Sequence, residues 1–293
     1  GGFIKSVSGG VYEVNEQMLA DLSSGKYGGI HPSNLGGILA HEIAQIAHCP
    51  SFIANPVVID EMQPLARYSG MPENPRISIF HALSQKRVAR MIANKLGKKY
   101  TEINCIVCHG GGGITVGAHC KGRVIDVNNG YEGDGPMTPQ RSGGVPSSGL
   151  VQMCFSGKYT ERDIKLKLRG KGGLVAYTGT SDVKDLEEFI RTGVKRPGSM
   201  IFCTREQAEE ARDAMVYQIA KYIGAMAVVL KGQVDFIALT GGLMSSKVIP
   251  QKIGEYVSWL APLYVFPGSE EKIALREAAQ RALEDPSCVK RYV

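Results

Sequence analysis

The sequence lacks any long apolar segment and any block of like charge. Its longest apolar stretch, residues 225–230, is far shorter than the ~20 residues that a membrane-spanning helix needs. No run of five like charges and no basic stripe interleaved with aromatic residues occurs, and the chain has a single tryptophan. The sequence therefore predicts neither a membrane partner nor a nucleic-acid partner.

A regular disulfide framework is also missing. The seven cysteines are odd in number and irregularly spaced along 293 residues. In a chain of this length such a pattern is typical of reduced thiols in a reducing compartment. We therefore expect a cytoplasmic protein without disulfides.

Glycine, in contrast, is abundant, with 36 residues, and the net charge is mildly positive at +6. A small positive balance suits an enzyme that handles anionic small molecules. Glycine allows the backbone to approach phosphate groups closely, so nucleotide-binding turns are one use for this excess.

Two glycine-rich turns each follow an apolar run that predicts a strand. The first follows a strand at 103–108 and opens an antiparallel meander through 114–119 and 123–127, and the second follows a strand at 234–239. Backbone N–H groups at such turns can hold phosphate oxygens, although a tight turn without function has the same pattern. The residues of the two turns are His109, Gly110, Gly111, Gly112, Gly113 and Thr240, Gly241, Gly242.

Three other motifs overlap the first turn, and each fails on its structural context. Cys105 and Cys108 with His109 fit a haem-attachment pattern, but residues three apart on a strand point to opposite faces. The HGGG sequence at 109–112 resembles an esterase oxyanion loop, yet the chain has no G-x-S-x-G nucleophile motif. A Rossmann loop would open a helix, whereas this turn opens a strand.

Three further residues stand at positions where catalytic groups are common. Asp60 ends a strand predicted at 52–59, although a loop anchor is as compatible with that position. Arg141 lies in a Gly/Pro-rich loop at 128–148, where it could clamp a phosphoryl group or simply be solvated. His81 begins a helix predicted at 78–96 and taken alone is a capping or structural histidine. Further helices are predicted at about 34–48, 205–230 and 270–283.

Ten short motifs together resemble the acetokinase family of carboxylate kinases, over nearly the whole chain. They are GIHPSNLG (29–36), NPVVIDE (55–61), SIFHALSQK (78–86), CHGGGG (108–113), VIDVNN (124–129), GDGP (133–136), RSG (141–143), YTGTSD (177–182), TGGL (240–243) and FPGSEE (266–271). The resemblance implies an α/β fold of two actin-like (ribonuclease H-like) domains with mixed five-stranded sheets and an ATP cleft between them. The first domain would comprise residues 1–76, incomplete, with the helix of 271–293 packed back on it, and the second residues 77–270.

The resemblance also implies roles for individual residues. Asp60 would lie near the metal and the acyl phosphate, Arg141 would stabilise the phosphoryl group in flight, and His81 would contact it. The turn at 109–113 would surround the β- and γ-phosphates. Asp182, Gly241 and Gly242 would contact the adenosine, and Glu271, favoured over Glu270, would be linked to magnesium. ATP and Mg²⁺ are the implied cofactors.

The implied reaction is reversible phosphoryl transfer from ATP to butanoate, giving ADP and butanoyl phosphate. The alternatives are another short or branched fatty acid as acceptor, an actin- or chaperone-like ATPase, and an inactive nucleotide-binding module. The resemblance implies a homo-oligomer, dimeric or larger, with the carboxylate and ATP as small-molecule partners.

Relatives in this family begin with a strand and an Asn-Pro-Gly-Ser-type phosphate loop, which the printed sequence lacks. We therefore expect a fragment that starts inside the first domain. Strands without their neighbours expose unpaired backbone groups. We expect the chain from Gly1 to be poorly stable and inactive until the upstream segment is restored.

Overall fold

The computed structural model describes residues 2–268 and 271–293, and its strands form two separate sheets. The strands of the described residues are β1 (Val11–Glu13), β2 (Phe52–Ala54), β3 (Asn104–Gly110), β4 (Ile114–Cys120), β5 (Arg123–Val127), β6 (Phe236–Gly241), β7 (Leu263–Pro267) and β8 (Val289–Lys290). The α-helices are α1 (Glu16–Ser24), α2 (Leu35–Ala47), α3 (Ala82–Lys95), α4 (Ser147–Cys154), α5 (Glu161–Leu168), α6 (Leu174–Thr178), α7 (Val183–Thr192), α8 (Arg205–Val229), α9 (Val248–Val257) and α10 (Glu271–Glu284).

The larger sheet is mixed and has the strand order β5-β4-β3-β6-β7. Strands β3, β4 and β5 form the predicted antiparallel meander, while β6 pairs in parallel with β3, and β7 with β6. The register places His109 opposite Thr240. Because β3 and β6 run in parallel, the two glycine-rich turns leave the sheet at the same edge.

Both faces of this sheet are covered by helices, which explains why β3 is buried along its whole length. On one face, Cys105 and Val107 pack against α3. On the other face, Ile106 and Cys108 belong to the cluster that includes the long helix α8. The two cysteines thus point to opposite faces, as predicted, and both are fully buried.

The smaller sheet has the order β2-β1-β8, with β2 antiparallel and β8 parallel to β1. The predicted strand at 52–59 is wrong beyond Ala54. Asn55 adopts a left-handed conformation with φ of 40°, and its side-chain oxygen accepts a hydrogen bond from the Gly10 amide at 3.0 Å. The chain turns there, and Ile59 meets Val7 through one isolated parallel bridge.

Helix α10 and the residues after it return to the smaller sheet. Ala278 and Ala282 are buried in a cluster with Val11 of β1 and Ala54 of β2. Beyond α10, the buried Tyr292 donates its hydroxyl to Asp21 at 2.7 Å. The two ends of the chain are therefore joined in one small core.

Helix α2 forms as predicted, but its large apolar side chains are not buried by the described residues. Leu35, Leu39, Ile43 and Ile46 are between 53% and 82% exposed. The helix approaches the core through small residues instead: Gly37 and Ala44 are its buried positions. A Cβ at Gly37 would lie 2.7 Å from a terminal methyl of Leu22, so a larger residue there would displace that side chain.

One predicted helix start also differs from the structure. Helix α3 begins at Ala82 rather than at residue 78, so His81 precedes its first turn.

Across residues 2–268 and 271–293, none of the helices combines the length and the apolar character needed to cross a bilayer.

Candidate active site

The two glycine-rich turns touch each other at the edge of the larger sheet. Gly241 has a φ of 96°, and a Cβ there would lie 2.3 Å from the carbonyl oxygen of Gly110. Only glycine fits both the conformation and the space. The sheet therefore brings together two turns that lie 131 residues apart in the sequence.

The first turn is closed by its own backbone and by a neighbouring loop. The Gly111 amide donates to the Gly113 carbonyl at 2.9 Å. The Thr138 hydroxyl donates to the Gly112 carbonyl at 2.7 Å. These bonds connect the turn to the long loop that carries Arg141.

Two histidines stack beside this turn. The rings of His81 and His109 are 4.0 Å apart between centroids and nearly parallel, at 15°. His81 Nδ1 is 2.9 Å from the Thr115 hydroxyl, and His109 Nδ1 is 3.0 Å from the Ser84 hydroxyl. Hydrogen bonds to α3 and β4 thus fix both rings.

Burial keeps both imidazoles uncharged at neutral pH. Burial lowers the pKa of His109 to about 4. The pKa of His81 lies well below its ordinary value, first because of burial and then because of electrostatic repulsion from His109 and Arg141. Two neutral rings can stack closely, whereas two imidazolium ions would repel each other.

Arg141 reaches the same place from its loop. A turn fixes its backbone, since its amide donates to the Thr138 side-chain oxygen at 2.9 Å. Its guanidinium contacts the Gly130 carbonyl and lies against Gly113, where an added Cβ would come within 2.3 Å of Nη1. The guanidinium is therefore held directly beside the first glycine turn.

A cavity of about 160 Å³ opens between these groups. Apolar side chains form most of its wall, and His81 and Arg141 are among the polar residues that complete it. The lining residues are Phe3, His31, Ser33, Val57, Ile79, Phe80, His81, Thr115, Gly130, Tyr131 and Arg141. The arrangement suits a small ligand with an anionic head and a short hydrocarbon tail.

Asp60 is not among the residues that line this cavity. Its carboxylate makes a bidentate ion pair with Arg67, at 2.5 and 2.8 Å. The backbone amide of Met62 also donates to it at 3.2 Å. The sequence indicated the carboxylate but not the arginine that neutralises it.

The next residue, Glu61, is buried and connects three parts of the chain. Its carboxylate accepts hydrogen bonds from the Gly9 amide and the Val124 amide, both at 2.8 Å. It also pairs with the buried Lys86 ammonium at 2.7 Å. The loop carrying Asp60 is thereby fixed to α3, to β5 and to the segment before β1.

A second and larger cavity, of about 690 Å³, lies beside the second glycine turn. Gly242 and Leu243 form one side of it, and Val183 and Lys184 of α7 lie on another. Its basic lining residues are Lys184, Arg191, Arg196, Arg205, Arg212, Lys247 and Lys252. Asp182 caps α7 next to this cavity, accepting from the Lys184 amide at 2.9 Å and from the Asp185 amide at 3.3 Å.

The two glutamates expected near a magnesium ion fall at the start of α10. Glu271 is its exposed first residue, and Glu270 lies outside the described residues. The preceding Gly268 pairs with Gly241 through two backbone hydrogen bonds of 3.1 Å. Within the described ranges, no group of three or more His, Cys, Asp or Glu side chains is placed to hold a metal ion. A metal here would need ligand oxygens from a nucleotide or from water.

Sequence reasoning missed several polar residues of the site. Ser84 and Gln85 lie three and four positions after His81, at the start of α3. That spacing places side chains on one helix face and could have indicated them. Thr115, which directly follows the first residue of β4, gave no comparable signal.

The two sheets, and the cavities beside the glycine-rich turns of the larger one, define the class of the protein: an α/β protein of the actin-like fold. Solved structures support this assignment. The acetate kinase of Porphyromonas gingivalis superposes with a TM-score of 0.77 at 20% identity, covering 93% of this chain and 74% of that one. The acetate kinase of Entamoeba histolytica gives a TM-score of 0.75 at 18% identity, covering 95% and 79%. At these identities the likeness concerns the fold alone.

Sequence comparison is more specific. The family model for the acetokinase family matches residues 76–255. A curated relative, the probable butyrate kinase of Elusimicrobium minutum (strain Pei191), is 60% identical over 293 residues, which is 100% of this chain and 79% of the relative. The chain belongs to the acetokinase family.

Proposed function

We propose that the protein transfers a phosphoryl group between ATP and a short-chain carboxylate, with butanoate as the preferred acceptor. A carboxylate oxygen attacks the γ-phosphorus, the bond to the β,γ-bridging oxygen breaks, and ADP and butanoyl phosphate are released. The observation that carries the proposal is the small apolar cavity whose polar side, His81 and Arg141, adjoins a glycine turn. Membership of the acetokinase family supports the reaction type.

The cavity favours a short acyl chain over a larger substrate. Its volume of about 160 Å³ is well below the roughly 300–1,000 Å³ of pockets for drug-sized ligands. Val57, Ile79 and Phe80 provide an apolar wall that a hydrocarbon tail would cover. The name of the 60% identical relative agrees with a four-carbon acceptor.

The roles that we propose for the individual residues are those that the family resemblance implies. Arg141 would neutralise charge on the phosphoryl oxygens in transit, and His81 would donate a hydrogen bond to them. The turn of Gly110 to Gly113 would surround the β- and γ-phosphates with backbone N–H groups. Gly241, Gly242 and Asp182 would border the adenosine in the larger cavity.

Magnesium fits the remaining carboxylates. Both carboxylate oxygens of Asp60 pair with Arg67, so Asp60 would bind the ion only once that pair opens. Together with Glu271 it would hold the ion, which prefers oxygen ligands and takes others from phosphate and water. Bound there, the metal would supply neutralisation of phosphate charge.

The division into units and the assembly also remain proposals. Residues 1–76 with 271–293 would form one domain, consistent with the packing of α10 on β1 and β2. Residues 77–270 would form the other. We expect a cytoplasmic homo-oligomer, and light scattering of the purified protein measures its mass.

A substrate panel tests the proposed acceptor. The purified protein, carrying whatever residues precede Gly1 in the cell, is assayed with ATP and acetate, propionate, butyrate, isobutyrate or valerate, and acyl phosphate is trapped as hydroxamate. We expect kcat/KM to be highest for butyrate. ATP hydrolysis that is indifferent to every acid would instead identify an ATPase without an acyl substrate.

Arg141→Ala tests the proposed mechanism. Removing one charge-stabilising donor costs roughly 3–4 kcal/mol of transition-state stabilisation, so turnover should fall by about two to three orders of magnitude. The affinity for ATP, measured by calorimetry, should change little. Unchanged kcat with a raised KM for ATP would assign Arg141 to nucleotide binding instead.

A further inference from the structure

A continuous line of hydrogen bonds leads from His81 into the interior. His81 Nδ1 is 2.9 Å from Thr115 Oγ1, and Thr115 Oγ1 is 2.9 Å from Gln85 Nε2. Gln85 Oε1 is 3.0 Å from His119 Nε2, and His119 Nδ1 is 2.7 Å from the Tyr100 hydroxyl. The three middle residues are completely buried.

The orientation of the Gln85 amide, at the centre of this line, is fixed by one backbone carbonyl. Gln85 Nε2 contacts the Thr115 carbonyl oxygen at 3.1 Å as well as the Thr115 hydroxyl. A carbonyl oxygen can only accept, so the Gln85 atom facing it must be the amide nitrogen. The amide oxygen of Gln85 consequently faces His119.

The far end of the line follows from this orientation. Gln85 Oε1 accepts, so His119 Nε2 must carry a proton. Burial, with Lys86 and Arg90 nearby, keeps the pKa of His119 well below its ordinary value, so the ring is neutral and its Nδ1 is an acceptor. The Tyr100 hydroxyl therefore donates to His119 Nδ1.

The near end follows from the capacity of one hydroxyl. A threonine hydroxyl offers one donor and two acceptor sites. Thr115 Oγ1 accepts from Gln85 Nε2, and the backbone N–H of His81 approaches it at 3.5 Å. Its remaining contact, with His81 Nδ1, must use the hydroxyl proton as donor. His81 Nδ1 is then an acceptor, and the proton of the neutral ring resides on Nε2.

We propose that Thr115, Gln85, His119 and Tyr100 are positioning residues that hold His81 as its neutral Nε2–H tautomer. Nδ1 is engaged by Thr115, so Nε2 is the nitrogen that remains for a ligand in the cavity that His81 lines. The relay makes that nitrogen a hydrogen-bond donor, which an anionic phosphoryl oxygen requires. In the opposite tautomer a lone pair would face the same oxygen. The inference rests on the proposed function of His81, but the tautomer itself is measurable without turnover.

The first experiment measures the tautomer directly. The full protein is labelled with ¹⁵N-histidine, and the His81 signals are identified by their loss in His81→Gln. We expect a pyrrole-type signal for Nε2 and a pyridine-type signal for Nδ1. The reverse assignment in the unsubstituted protein overturns the proposal without any further variant.

The second experiment removes the hydroxyl that donates to His81. Thr115→Val keeps the shape of the side chain, and we expect a mixture of His81 tautomers and a fall in kcat of about tenfold, as for one lost neutral hydrogen bond. The KM for ATP should stay unchanged. Thr115→Ser, the matched control, retains the hydroxyl and should restore both the tautomer and kcat.

Tyr100→Phe removes the hydroxyl at the opposite end of the line. We expect a smaller shift of the His81 tautomer equilibrium and a smaller fall in kcat than in Thr115→Val. Thr115→Val with the tautomer unchanged would refute the relay, even if kcat fell. A shifted tautomer in a protein that phosphorylates no carboxylate would support the relay and refute the proposed function.

Discussion

Replacing Lys86 by methionine removes one charge of the buried pair while keeping most of the side-chain volume. The side chains of Lys86 and Glu61 are only 3% and 8% exposed, so water cannot replace the lost partner. Removing one member of a buried pair typically costs about 3–5 kcal/mol, because the other charge is left uncompensated. Glu61 retains the amides of Gly9 and Val124, so we expect about 3 kcal/mol.

Urea unfolding followed by circular dichroism measures this loss, with the double variant Lys86→Met/Glu61→Gln as control. Removing both charges should cost less than removing Lys86 alone. Thermal unfolding gives a second measure: at about 2–4 °C per kcal/mol, a loss of 3 kcal/mol lowers the Tm by roughly 6–12 °C. A loss under about 1 kcal/mol, or a double variant less stable than the single one, would refute the reasoning.

The same pair gives a pH dependence with a definite sign. Burial acts to raise the pKa of Glu61, but attraction to Lys86 and the hydrogen bonds from Lys86, Val124 and Gly9 outweigh it, so the pKa is lowered from 4.5. A carboxyl with a lowered folded-state pKa stabilises the protein above its unfolded value, and this stability is lost as the pH falls through the folded value. In Lys86→Met the attraction that lowers the pKa of Glu61 is gone while burial still raises it, so the stability lost through this carboxyl on acidification should be smaller than in the unsubstituted protein.

Two further predictions concern the glycine turns and the histidine stack. Gly111→Val should weaken ATP binding in calorimetry with little loss of stability, since a Cβ there meets nothing closer than 3.7 Å. Gly241→Val should weaken ATP binding and also destabilise the fold, because its Cβ would clash with the backbone of Gly110. Wild-type ATP affinity in folded Gly111→Val would contradict the assignment. His109, with its pKa lowered from 6.5 to about 4, should make the protein less stable by roughly 3 kcal/mol as the pH falls from 7 to below 4, since the unfolded chain binds the proton first. His109→Gln should remove that part of the acid sensitivity, and an unchanged pH profile would show that the histidine is not responsible.

Much of the larger sheet could be predicted from local pattern. The apolar runs before the two glycine turns are buried strands, and their turns do meet, because two apolar strands of one parallel pair end at a common edge. The smaller sheet was harder to predict. The apolar run from residue 52 continues to 59, and nothing in it reveals that Asn55 turns the chain by bonding to Gly10.

In the candidate site, too, the sequence did not reveal contacts between segments that lie far apart in the chain. The resemblance indicated His81 and Arg141, and the structure places both at one cavity. The ion pair of Asp60 with Arg67 depends on how a short loop closes. The contacts of Gln85 with Thr115 and His119 depend on how α3 packs against β4, which the local sequence does not reveal.

The return of the chain end to the smaller sheet has a consequence for folding during synthesis. Strand β8 pairs with β1, and Tyr292 bonds to Asp21, which the ribosome makes 271 residues earlier. A growing chain folds in the order in which its parts emerge, at about 5–20 residues per second. The β3–β5 meander needs only neighbouring residues and can form early. Strand β1 can pair with β2 early, but its other edge lacks β8 for roughly 15–50 s at that rate. This exposed strand edge is where a chaperone would be needed most.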